Sequence, residues 1–189
     1  TIRSGVQWSD GKPFTAHDVA YTFNLKKKYP ALDTRNSWGF LESVDAVSDT
    51  KVVVSFNRVY VPGFGAIAEQ IIIPKHIWRE LEDPLKFSNP NPVGTGPFTE
   101  VLRFNSQVWE LGKNPNYWQP GKPHIEKLIF PTHSNNEQTT LSLLSGKLDW
   151  AGAFIPAIER IFVDKDPEHH HYWFRDTGCL LYTSPSPRD

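Results

Sequence analysis

Sixteen prolines are spread through 189 residues, and they set the grain of this chain. Each one fixes φ near −65° and removes a backbone donor, so neither a helix interior nor a central strand can run through it. The proportion, about 8%, exceeds the ~5% of ordinary proteins. The prolines fall between hydrophobic segments and form no tract. That pattern describes a folded, loop-rich chain built from short elements rather than a disordered one.

Charge and cysteine content then narrow the function. Lys and Arg number 20 against 21 Asp and Glu, a formal net charge of −1. A nucleic-acid binder held by phosphate contacts needs a basic face, and this balance excludes one. The lone Cys179 excludes an internal disulfide framework and a multi-cysteine zinc site. The longest apolar run, Cys179 to Tyr182, is far short of the roughly 20 residues that cross a bilayer. The chain opens at Thr1 and contains no Met, so it reads as an internal fragment of a longer frame. Seven Trp and twelve Phe predict a well-filled core, with some rings left over as stacking platforms for a ligand.

The elements follow from local chemistry. Ile2 to Trp8 suits a strand end, and Asp10-Gly11 is a turn signal. Thr15 sits at a helix N-cap with Asp18 three residues on, a variant of the capping box. The predicted helix runs from about Ala16 to Tyr29, with Ala16, Val19, Ala20 and Phe23 as its apolar stripe, and Pro30 stops it. Lys26, Lys27 and Lys28 fall in its last turn and complement the helix dipole, so they read as a solvated helix end. Val44 to Val47, the turn Ser48-Asp49-Thr50 and Val52 to Phe56 form a hairpin signature. Ile71 to Ile73 reads as a short buried segment, and Pro74 as the first residue of a helix reaching about Glu82.

Beyond a soft boundary near Pro92 the texture changes. Phe98 to Phe104 and Gln107 to Leu111 read as paired strands turning at Asn105-Ser106. Ile125 to Phe130 is another strand. Asn135 or Asn136 caps a helix that Gly146 ends at the C′ position. Leu148 to Trp150 is read as a short strand, giving a strand–helix–strand crossover with parallel pairing. A single helical turn near Pro156 to Ile161 and a strand at Tyr172 to Phe174 complete the series.

No catalytic constellation has specific spacing. Gly94-Thr95-Gly96-Pro97 lacks the helix and lysine of a phosphate-cradling loop and reads as a turn where Gly permits positive φ. His169, His170 and His171 are consecutive, so in an extended segment they point to alternate faces and cannot easily converge on a metal. His76 and His124 have no ligand-spaced partners. Asp149 beside Trp150 reads either as a ligand-facing pair or as a turn carboxylate next to a core Trp. A hydrolase or metal-dependent enzyme on an α/β scaffold would need a nucleophile–base pair or a ligand triad, and neither is visible. A structural interaction module would need a large exposed apolar patch.

Several short motifs occur in a telling order: Gly5-Val6-Gln7-Trp8-Ser9-Asp10-Gly11-Lys12-Pro13-Phe14-Thr15, then Ile73-Pro74-Lys75-His76-Ile77-Trp78. Pro92 to Phe98, Asn114-Pro115-Asn116-Tyr117-Trp118, Gly121-Lys122-Pro123 and Gly146-Lys147-Leu148-Asp149 follow. In order and spacing they resemble the extracytoplasmic solute-binding proteins of family 5, the oligopeptide-, dipeptide- and nickel-binding components of ABC importers. The likeness covers roughly Ile2 to Gly178. It implies an α/β fold of the periplasmic-binding-protein type II kind with an extra subdomain, two lobes closing on a ligand. Residues 1–91 would form the accessory subdomain of lobe I and residues 92–178 part of the first ligand-binding lobe. Residues 179–189 depart from the pattern and resemble translated read-through or a Ser/Pro tail.

The resemblance further implies a non-enzymatic protein without cofactor, periplasmic or lipid-anchored outside the membrane and monomeric when complete. It would capture peptides for an ABC permease, with cello-oligosaccharides as the alternative ligand. Binding of this kind needs apolar or aromatic walls and a few convergent polar groups. Trp38, Phe40, Asp149, Trp150 and Phe154 are the expected ligand-binding residues. They sit at loop or strand-end positions, and Trp150 to Phe154 resembles the sugar-binding subset.

Overall fold

Asp18 does more than cap a helix. Its Oδ2 accepts the Thr15 backbone N–H at 2.9 Å and the Thr15 hydroxyl at 3.3 Å, closing the N-terminus of α1, Ala16–Lys28. Its Oδ1 accepts the Lys75 N–H at 2.9 Å. One turn on, the Thr22 hydroxyl donates to the Asp18 carbonyl at 2.8 Å and accepts the Ile73 N–H at 3.1 Å. The buried face of α1 therefore combines the expected Ala16, Ala20 and Phe23 with two polar residues, Asp18 and Thr22. Buried polar atoms must find partners, and here they supply the pairing that residues 73–75 lack, being in no strand.

The computed structural model describes residues 1–172. On its apolar side α1 packs against an antiparallel hairpin of β1, Leu41–Ser48, and β2, Lys51–Phe56, in the expected place. Ala20, Phe23, Phe40, Leu41 and Val44 form the core, with Trp38, Val52, Val54 and Phe56 packed around it. Burying Phe23 completely contributes about 1.5–3 kcal/mol. Phe40 stacks on Phe56 and on Tyr60, at ring-centre distances of 5.9 and 4.6 Å. A short helix α2, Gly63–Ala68, follows, and Gly63 lies so close to the Phe56 ring that a Cβ there would sit 2.3 Å from Cε1.

Two expectations for the next stretch need correction. Ile71 is 82% exposed, not buried, because residues 71–73 hang from Thr22 by one backbone bond and bury only the following side chains in part. The helix after Pro74, α3, covers only Lys75–Trp78, with Pro74 as its cap. Short-range bonds from Glu80 to Ile77 and from Leu81 to Trp78 then tighten the chain into a turn ahead of Pro84.

Residues far apart in sequence next close on one another. Gln7 and Pro13 bridge around the Asp10-Gly11 turn, where Gly11 holds φ +82°. Ser9 then joins the second glycine-rich stretch twice: its N–H donates to the Gly94 carbonyl at 2.9 Å, and its Oγ accepts the Gly94 N–H at 3.3 Å. Asn116 Nδ2 donates to the Ser9 carbonyl at 3.0 Å, and Asn114 Nδ2 to the Gly96 carbonyl at 2.8 Å. Trp8 is buried edge-on against Phe14, and the Arg3 guanidinium lies 3.4 Å above the Trp118 ring. Gly94 and Gly96 do not use positive φ, contrary to expectation. Gly94 instead sits in close approach, where a Cβ would meet Thr99 Cγ2 at 3.2 Å.

From this clasp runs a three-stranded antiparallel sheet of β3, Phe98–Phe104, β4, Val108–Lys113, and β5, Lys127–Pro131, in that spatial order. Asn105 makes the turn by accepting the N–H groups of Gln107 and Val108. Trp109 and Phe130 stack at 4.0 Å, and Glu110 is flanked by Arg103 and Lys127. The contacts divide the chain between Pro131 and Thr132, the clasp binding residues 94–116 to the first ten.

The second unit begins at Thr132. Helix α4, Asn136–Leu144, is capped by Asn135, whose Oδ1 accepts the Gln138 N–H at 2.9 Å. It ends in a Schellman motif: Gly146, at φ +68°, donates to Leu143, and Lys147 donates to Ser142. Leu148 to Trp150 is irregular, not a strand, since nothing among the described residues pairs with it. No parallel crossover therefore forms among the described residues, and every strand pair there is antiparallel. The turn of α5 covers Ile158–Ile161. The expected strand at Tyr172 to Phe174 and the tail from Cys179 lie, apart from Tyr172, outside the described residues.

Candidate functional site

The Schellman turn at Gly146 sends the chain away from α4 and across a cavity of about 870 Å³ in the second unit. Residues 148–159 line it, together with Phe162 and residues 169–172. Leu143 and Ile155, both buried, also belong to the lining. Trp150 is 61% exposed and Phe154 74% exposed, so both rings are presented to the cavity and to solvent. Asp149 lies beside them on the same wall.

The segment from Glu159 to Tyr172 is stapled by polar contacts. The His170 ring lies flat on Phe162 at 4.1 Å, and its Nδ1 lies 2.7 Å from the Phe162 carbonyl. A carbonyl can only accept, so Nδ1 carries the proton. His169 pairs with Asp166 at 3.0 Å, so the adjacent histidines turn to different partners. The Tyr172 hydroxyl donates to Glu159 Oε1 at 2.5 Å and fixes the start of α5. That bond holds the Glu159 carboxyl below its usual range and pushes the Tyr172 phenol up. Among the described residues no cluster of His, Cys, Asp and Glu could hold a metal ion. An aromatic wall with carboxylates and imidazoles around it suits reversible binding by stacking and hydrogen bonding.

The five residues expected to bind ligand separate into two groups. Asp149, Trp150 and Phe154 share the cavity wall. Trp38 and Phe40 belong to the core of the first unit. Phe40 is only 6% exposed, and Trp38 Nε1 donates to the Phe23 carbonyl at 2.8 Å while Lys27 covers its ring. Their loop-like sequence context conceals a tight 3₁₀ turn, Ser37–Gly39, that swings both rings inward. The rest of the lining, with Phe162, His170 and the Glu159–Tyr172 pair, had no sequence signal, because those contacts join residues 8 and 13 apart.

The family model of bacterial extracellular solute-binding proteins, family 5 Middle, matches residues 1–186. The chain belongs to this family. Its members are solute-binding proteins of ABC transporters, not enzymes. Protein XP55 of Streptomyces lividans is 32% identical across 98% of this family 5 chain, which covers 34% of XP55. A mannohexaose-bound periplasmic oligopeptide-binding protein of Thermotoga maritima superposes with TM-score 0.77 at 29% identity, covering 94% of this chain and 33% of its own. The oligopeptide-binding protein AppA of Bacillus subtilis, in complex with a nonapeptide, superposes with TM-score 0.69 at 25% identity, covering 84% and 32%. The chain thus spans about a third of the length of these relatives, which share its type II binding-protein fold. The motifs through which the sequence resembles the family map mainly onto the Ser9–Gly94–Asn116 clasp and the Asp18–Lys75 contact, and the last of them, Gly146 to Asp149, reaches the cavity.

Proposed function

We propose that this chain is part of the substrate-binding component of an ABC importer, capturing oligopeptides or dipeptides outside the cytoplasmic membrane for delivery to a permease. The supporting observation is the exposed Trp150–Phe154 wall over a cavity of about 870 Å³, in a chain similar over most of its length to AppA with its nonapeptide. In this reading residues 1–91 are the accessory subdomain and residues 92–178 contribute to the first ligand-binding lobe. The complete protein is a monomer, periplasmic or lipid-anchored, that closes around its ligand and carries out no reaction.

A second reading, oligosaccharide binding, is favoured by one specific feature. Two exposed aromatic rings four residues apart offer flat platforms of the kind sugars stack on, and the Thermotoga relative was solved with mannohexaose. Thermal unfolding of the complete protein against panels of peptides and cello-oligosaccharides separates the readings. A ligand at about 100 times its dissociation constant stabilises the native state by about 2.7 kcal/mol. Stabilisation by peptides alone supports the first reading, and stabilisation by sugars alone replaces it with the second. No shift with either panel removes both.

A further inference from the structure

The first unit holds a smaller cavity, of about 260 Å³, that the solute-binding reading does not use. It opens between the C-terminal half of α1, the loop around Leu32 to Arg35, the end of α2 and residues 71–78. Its wall is apolar where Leu25, Leu32, Ile73 and Trp78 line it. Its charge is mixed: Lys26, Arg35 and Glu69 all border it.

The two cations are held differently. Arg35 reaches Glu69 at 2.5 Å in an exposed pair, where the carboxylate is shared with solvent. Lys26 donates to Gln70 Oε1, an uncharged acceptor, and Gln70 Nε2 is itself committed to the Ala66 carbonyl at 3.0 Å. The amide is thereby aimed at the ammonium and cannot rotate away without losing a bond. Burial pushes the Lys26 ammonium below the usual lysine range, and the nearby Asp33 only partly restores it. A partly desolvated cation whose hydrogen-bonded partner is neutral gains from any anion placed beside it.

We infer that this cleft binds a small carboxylate bearing a short apolar tail, the carboxylate between Lys26 Nζ and Arg35 and the tail against Leu25, Leu32, Ile73 and Trp78. The site is independent of the proposed peptide or sugar cavity.

The test is calorimetric titration of the complete protein with hexanoate, compared with hexanamide and hexylamine. Saturable hexanoate binding is expected, with the neutral amide and the amine each weaker by about tenfold or more, the worth of one charge-assisted bond. Lys26→Met keeps the aliphatic stem and should lose about tenfold in hexanoate affinity. Arg35→Gln alters a half-exposed side chain, tests the same cleft should Lys26→Met not fold, and should weaken binding in the same direction. Hexanamide binding as well as hexanoate overturns the inference. So do wild-type affinity in the folded variants and the absence of hexanoate binding at millimolar concentration. Peptide- or sugar-induced stabilisation, read in the same samples, is expected to be untouched by either variant, so failure of this site and failure of the solute-binding reading are told apart.

Discussion

Asp18 and Lys75 meet across 57 residues of sequence through one 2.9 Å bond from a backbone N–H to a buried carboxylate. The same carboxylate closes the N-terminus of α1. One side chain therefore starts a helix and docks the segment that crosses it. Asp18→Asn leaves an amide N–H₂ facing a backbone donor and should cost about 1.5–3 kcal/mol, as loss of a hydrogen bond to a buried charge does. Urea unfolding of the two proteins measures this, and a difference under about 0.5 kcal/mol, the ordinary surface value, would contradict the docking role.

The Asp10–His76 contact, 2.6 Å between Oδ2 and Nε2, makes stability depend on acid. Burial raises the Asp10 carboxyl, but the hydrogen bonds from His76 and from the Lys12 N–H outweigh it and hold the group below its ordinary range. A carboxylate depressed in the folded state contributes stability that is complete above its unfolded pKa, near 3.9, and is lost as pH falls through the folded value. The gap in unfolding free energy between wild type and Asp10→Asn should thus shrink as pH falls from about 5 to below 4. A gap that widens on acidification would reverse the sign argued here.

Two glycines of the single helix α2 should respond oppositely to alanine. At Gly63 a Cβ would stand 2.3 Å from Phe56 Cε1, and overpacking of this kind costs about 1–3 kcal/mol. At Gly65 nothing lies within 4 Å, so alanine should be neutral or stabilising by up to about 1 kcal/mol through reduced freedom of the unfolded chain. Thermal melts of the two variants decide it; equal effects would mean that helix propensity, not packing against Phe56, governs the site.

Trp150 and Phe40 provide the matching contrast between binding and folding. Trp150→Ala in the complete protein should weaken ligand binding by about 1–3 kcal/mol with little change in melting temperature. Phe40→Ala should cost about 3–5 kcal/mol of stability while leaving the affinity of the folded fraction intact. Substantial unfolding by Trp150→Ala with unchanged affinity would move Trp150 into the core.

What the sequence disclosed was local. The Thr15–Asp18 cap, the Ser48 to Thr50 turn, the Asn135 cap and the Gly146 C′ residue are all written within a few residues of where they act. Leu148 to Trp150 looked like a strand because its composition suits one, yet a strand needs a neighbour, and none is present among the described residues. Trp38 and Phe40 read as ligand-binding residues because they sit at loop or strand-end positions, whereas burial is decided by α1 and β2 arriving from elsewhere in the chain. Of the candidate site, Asp149, Trp150 and Phe154 were legible as one aromatic-acidic run. The Phe162–His170 stack in the same lining was not, since only the turn after α5 brings the two rings together.

The Ser9 clasp also has a history in time. Its last partner, Asn116, is made 107 residues after Ser9. At a synthesis rate of about 5–20 residues per second, the opening turn waits on the order of 5–20 s for the side chain that fixes it. The α1–hairpin core, complete by Phe56, has no such wait. On the ribosome the turn from Ser9 to Gly11 therefore stays unclasped after that core is complete, and only later does the chain come back to tie it down.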